Sequence, residues 1–176
     1  MADGVGGAGG PLVACWGCGA LVPEIDGPTH RYIGASPGCW ELHGEVMLRE
    51  IEPQFSRLSQ LTVDTYAVQH PGVDVPQARQ SVAVHLMSIC LQVERGARQE
   101  EATRMLQVVL PSKNRPVFPW LEPPASRGAV TVLDVLAAEG VEAHLAAVRH
   151  WAESVWAAWD AYHPQVREWL ARYYRG

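Results

Sequence analysis

Residues 15–43 read CWGCGALVPEIDGPTHRYIGASPGCWELH, and the fold turns on how this stretch is read. It offers Cys15 and Cys18 as C-x2-C, then Cys39 and His43 as C-x3-H. Two cysteines at the first spacing clamp one tetrahedral ion from a tight knuckle, and a helix stacks side chains at the second spacing on one face. The pattern is that of a Cys3His zinc site. Ser36 stands at an N-cap position and Pro37 at the first helical position, where a missing N–H costs nothing, so Cys39 falls at N3. There its thiol meets unpaired backbone N–H groups and the positive end of the helix dipole, both of which favour a thiolate.

Composition agrees with a metal-organised globular chain. At 176 residues and 48% hydrophobic, it can bury a substantial core and is too apolar for extended disorder. The net charge of -5 argues against general nucleic-acid binding, which calls for a basic surface. No apolar run reaches membrane-spanning length, and residues 1–10 have neither a basic segment nor an apolar one, so no membrane contact and a cytoplasmic location are expected. In that reducing compartment the cysteines are expected as metal ligands, with Cys90 left as a small buried hydrophobe. Arginine stands almost everywhere for lysine, Lys113 being the only one, which points to a GC-rich bacterial gene.

The expected architecture is mainly α, a single helical domain over 12–176 behind a tail at 1–11. Gly4–Gly9 in that tail matches G-x-G-x-x-G without the strand and helix a dinucleotide site needs. Residues 12–36 form the zinc knuckle, with a short hairpin through Asp26-Gly27 that brings His30 and Tyr32 within reach of it. Residues 37–110 are helical. A first helix runs from Pro37 to about Glu50, Thr62 caps a short one to His70 closed by Pro71-Gly72, and Pro76 opens a central one reaching Arg95 before Gly96. Gln99–Val109 is amphipathic, 111–128 is a proline-rich crossing with Phe118 and Trp120 as plugs, and Thr131 with Asp134 forms a capping box. In 129–176, Leu145, Val148, Ala152, Val155, Trp159, Tyr162, Val166, Trp169 and Tyr173 recur in steps of three and four. That packing seam holds its phase across a kink or break at Pro164.

For the metal, Cys15, Cys18 and Cys39 are the expected ligands of a zinc ion. His43 has the helical spacing for the fourth position, while His30, His70 or His85 would arrive there through tertiary folding; His43 or His85 is the expected fourth ligand. A closed Cys3His set holds a fold together, whereas three ligands and water would permit hydrolytic or lyase chemistry. A second constellation joins Asp64, Tyr66, Gln69 and His70 with His85, either as structural polar groups or around one ion or one proton-transfer site, with Asp64 and His70 as the candidate catalytic residues. The Trp-rich stripe Trp151, Trp156 and Trp159, with His150, Glu153 and His163 beside it, reads as core before pocket wall, and the absence of H-E-x-x-H removes a zincin.

The ordered segments CWGCG, DGPTHRYIGASPGCW, TYAVQHPG, QSVAVHL and WAESVWAAW together resemble an uncharacterised bacterial family catalogued only as a domain of unknown function. The resemblance implies that Cys15, Cys18, Cys39, His30, His70 and His85 occupy motif positions; His43 lies outside the matched segments. It implies no reaction. The leading expectation is therefore a zinc-binding protein with a chiefly structural ion and a small-molecule pocket near His70 and His85. The alternatives are a zinc-dependent hydrolase or lyase, and a non-enzymatic module that binds a partner protein.

Overall fold

A computed structural model of the chain describes residues 10–110 and 116–175. The glycine-rich tail and the start of the proline-rich crossing lie outside those residues. A two-stranded antiparallel hairpin, β1 (Leu12–Ala14) and β2 (Leu21–Pro23), precedes α1 (Pro37–Arg49), α2 (Ser59–Gln69), α3 (Pro76–Ile89), α4 (Gln99–Val109), α5 (Val132–Ala137), α6 (Val141–Ala158) and α7 (His163–Tyr173). The chain is mainly α, as its periodicities predict.

The hairpin does not run through Asp26-Gly27. Its turn is the C-x2-C knuckle itself: Cys15 N–H donates to Ala20 O at 2.8 Å and Gly19 N–H to Cys15 O at 2.9 Å, with Gly19 at a φ of 77°. Two strands in register, Val13 opposite Val22, thus deliver both cysteines from one tight loop. Helix α1 begins with Pro37 in its first turn and Cys39 three residues inside the N-cap. Ser36 sits at that cap, but its hydroxyl makes no cap bond.

Helices α2 and α3 form the centre. Helix α3 packs against α2, α4, α6 and α7 and buries Val82, Val84, Leu86, Met87 and Ile89 on several sides, as its all-round apolar sequence predicts. It ends in a π-helical turn, Cys90–Glu94, before Gly96 at a φ of 66°. Helix α2 starts at Ser59, so Thr62 lies inside the helix and does not cap it. The reason is a better partner: the Thr62 hydroxyl donates to Glu50 Oε1 at 2.6 Å, and Leu61 just before it is buried.

Most of the C-terminal seam is core, with Tyr162 and Tyr173 half-buried against it. Val148, Trp151, Ala152, Val155, Trp159 and Val166 are buried, and Phe118 of the crossing plugs the far end against Trp169 at 4.9 Å between ring centroids. Trp120, the second expected plug, is half-exposed. Helix α6 stops at Ala158, and Pro164 lies in the first turn of α7. His163 closes the break by stacking on Trp156 at 3.7 Å and donating from Nε2 to Trp156 O at 2.9 Å. Truncating a fully buried tryptophan such as Trp151 costs about 3–5 kcal/mol, so this seam is a main source of stability. No helix among the described residues is long and apolar enough to cross a membrane.

Candidate functional site

The knuckle supplies Cys15 and Cys18, the first turn of α1 supplies Cys39, and the residue that closes α2 supplies His70. Their ligand atoms all lie within 4.8 Å of one another, an arrangement that could hold a metal ion. Cys18 Sγ is 4.0 Å from Cys39 Sγ, and Cys39 Sγ is 3.4 Å from His70 Nε2. Cys15, Cys39 and His70 are buried and Cys18 is half-buried.

Several contacts hold His70 in place. Its Nδ1 donates to Tyr66 O at 2.8 Å, which directs Nε2 toward the sulfurs. Its carbonyl accepts from Gly34 N–H at 3.0 Å. A Cβ on Gly17 would lie 2.3 Å from His70 Cδ2, so the glycine between the cysteines is the space the imidazole occupies. Gly72, at a φ of 73°, lets the turn after His70 lie against the backbones of Tyr32 and Gly34. Tyr66 OH donates to Cys39 Sγ at 3.5 Å, and Arg127 Nη1 donates to Gly17 O, bringing a cation from the proline-rich crossing onto the knuckle.

The protons of this cluster are shared unequally. Hydrogen bonds from Cys18 and then Cys39 hold Cys15 far below the ordinary thiol range, while Cys39, crowded by the Cys15 and Cys18 sulfurs and by burial, is driven far above it. Burial opposes a charged imidazole at His70, yet the sulfurs of Cys15 and Cys18 outweigh it and push His70 up to about 9. Burial, and then the neighbouring Cys39 sulfur, raises Tyr66 above the phenol range. Three sulfurs and an imidazole thus crowd one point and compete for protons, a donor set that a metal ion could satisfy in the protons' place.

The two histidines expected as fourth ligand are elsewhere. His43 is not part of the cluster and stacks on Tyr66 at 3.9 Å, with Nε2 buried and without a hydrogen-bond partner. Burial first, and the charge of His70 second, lower it to about 4. His30 packs on Tyr32 and Trp40 and also remains outside the cluster. His85 belongs to a second site, because Asp64 draws its ring inward: Nδ1 donates to Asp64 Oδ1 at 2.7 Å.

Asp64 is buried on α2 with both oxygens occupied. Oδ1 also accepts from Gln60 Nε2 at 2.8 Å, while Oδ2 accepts from Ser88 Oγ at 2.5 Å and Gln92 Nε2 at 3.0 Å. The π-helical turn Cys90–Glu94 carries Gln92. The His85 side chain is 19% exposed and lines a cleft of about 600 Å³. His70 does not line this cleft, so the expected pocket near both histidines contains only one of them.

A further carboxylate–histidine pair has no spacing signal in the sequence. Glu50, at the end of α1, accepts from His144 Nε2 at 2.9 Å, and Arg49 Nη1 donates to His144 Nδ1 at 3.4 Å and to the carbonyls of Val135 and Ala138. Both members are buried and both ring nitrogens are used, which suits a clamp between α1, α5 and α6. Cys90 is buried and its thiol is pushed up to about 11, chiefly by burial, which agrees with an inert core residue.

A family model described as a family of unknown function, DUF5946, matches residues 13–160. The chain belongs to DUF5946. The matched span of this family member contains the four cluster residues, the Asp64–His85 pair and the Glu50–His144 pair, and ends before α7. No curated protein and no solved structure matches the chain.

Proposed function

We propose that the protein binds one zinc ion through Cys15, Cys18, Cys39 and His70, that this ion is chiefly structural, and that the cleft beside His85 receives a small molecule. The closed, mostly buried donor set carries the reading: four protein ligands fill a tetrahedron and leave no position for a reacting water. Tetrahedral geometry with Zn–S near 2.3 Å and Zn–N near 2.0 Å sets S···S at about 3.8 Å and S···N at about 3.5 Å. The 4.0 and 3.4 Å separations fit those values.

Thiolates and imidazole are the donors zinc favours over harder ions. Bound there, the ion would take the place of the shared protons and tie hairpin, α1 and the end of α2 to one point. Three thiolates and a neutral imidazole around a dication carry a net charge of about -1, which Arg127 on the knuckle carbonyl offsets. His70, fixed through both its carbonyl and its Nδ1, suits a ligand and not a mobile proton carrier. Catalysis by the ion itself, the hydrolase or lyase alternative, finds no support in a closed donor set. The interaction-module alternative, using the knuckle or the Trp-rich helix, is favoured at the knuckle, where Leu12, Trp16 and Leu21 are exposed while Trp151 and Trp156 of α6 are buried.

Elemental analysis beside a chelator titration tests the structural reading. One zinc per chain, whose removal abolishes near-ultraviolet circular dichroism and cooperative unfolding, is the expected result. An ion that leaves without loss of tertiary structure contradicts a structural role.

A further inference from the structure

We propose that His85 is an acid–base group of the cleft: its Nε2 takes the proton of a weakly acidic O–H or N–H on a small, partly apolar ligand, and Asp64 positions the ring. This deepens the reading of the cleft as a small-molecule site and rests on it. The tautomer follows from the donors around Asp64. Gln60 and Gln92 reach it through amide N–H groups and Ser88 through its hydroxyl, so the carboxylate acts as an ionised acceptor and His85 Nδ1 must carry a proton. The lone pair of the neutral ring is then on Nε2, which makes no hydrogen bond within the described residues and belongs to the side chain that borders the cleft.

Access separates this pair from its buried counterpart. His144 has both nitrogens bound and is sealed, whereas His85 has one nitrogen bound and is 19% exposed. Asp64 has no exposure of its own, so it acts only through His85, holding the ring and stabilising the imidazolium once a proton arrives. The cleft defines the ligand class. Val84, Val117 and Phe118 supply apolar wall, while Ser81 and Gln77 lie one and two helical turns before His85 on α3 and supply neutral polar groups. The guanidinium of Arg79 at the cleft is held by Asp74, which disfavours a strongly anionic ligand. In the step itself the ligand O–H or N–H bond breaks, the Nε2–H bond forms, and the ligand anion remains beside the imidazolium; no other reactant is needed.

The probe is 4-nitrophenol, whose phenol and phenolate forms absorb at different wavelengths, added to zinc-loaded full-length protein below the pH at which free dye ionises. Wild type should bind it and show the phenolate band. His85→Gln should bind within about threefold and lose at least tenfold of that band, and Asp64→Asn should weaken it while metal content stays unchanged. Ser81→Trp, which fills the cleft, should abolish binding. An equal phenolate band in His85→Gln, or dye bound to wild type only as phenol, overturns the acid–base assignment and leaves the cleft a ligand site. Failure of wild type to bind any dye overturns the assignment together with the small-molecule reading of the cleft.

Discussion

At the C-terminal end of α2, His70 closes a cluster with three cysteines; less than two turns earlier on the same helix, Asp64 reaches His85, whose ring borders a cleft. Both sites are built on buried polar side chains of one central helix, and both use a hydrogen bond at Nδ1 to fix which nitrogen remains available. They differ in what the free nitrogen meets. At His70 it meets sulfur, and the constellation is complete within the chain; at His85 it makes no hydrogen bond among the described residues, and the side chain borders a cleft. A closed set of soft donors holds structure together, and a half-open dyad leaves one reactive atom for something else.

That contrast can be broken at several points, and the largest effect belongs to the closed site. Cys39→Ala should lose the metal and cost more than about 4 kcal/mol, because folding free energy is supplied through the ion. Chemical denaturation with and without added zinc measures it, and a stable, metal-free variant would remove the structural role. Asp64→Ala should cost about 3 kcal/mol, since it leaves Gln60, His85, Ser88 and Gln92 without their acceptor in or near the core. It should nevertheless keep zinc. Loss of zinc in this variant would mean that the two sites are not separate.

His43 gives a pH test beside the cluster. Its folded pKa of about 4 lies below the 6.5 of a free imidazole, so the unfolded chain takes the proton first and stability falls as pH drops from 6.5 through 4. The loss attributable to this residue is at most about 3 kcal/mol. His43→Phe keeps a ring on Tyr66 and removes the unpartnered Nε2, and should be less sensitive over that range. Equal acid sensitivity in the two proteins would contradict the assignment. The smallest effect is expected at His85→Gln, which should change stability by less than about 1 kcal/mol and leave zinc content unchanged.

The sequence was most legible where the signal is local. Cys15 and Cys18 by their spacing, Pro37 at a helix start, the Thr131–Asp134 capping box and the three-and-four seam through Val155 and Val166 all describe neighbours along the chain, and the structure contains each arrangement. The fourth member of the cluster was harder, because His70 arrives only through the docking of α2 on the knuckle. Spacing favoured His43, but a residue one turn from Cys39 need not point the same way once Tyr66 offers its ring as a stacking surface. Two local clues did exist: Gly17, which leaves room for an imidazole, and Gly72, which permits the close turn after His70. For Glu50 and His144, at opposite ends of the helical region, no local clue existed.

The central claim is that four named side chains hold one structural ion, and it is tested most directly by zinc stoichiometry in purified wild type, His70→Ala, His43→Phe and His85→Gln. The account predicts one zinc per chain in wild type and in the His43 and His85 variants, and its loss, with cooperative unfolding, in His70→Ala. A zinc-free wild type, or a His70→Ala protein that keeps its ion with full affinity, would contradict it.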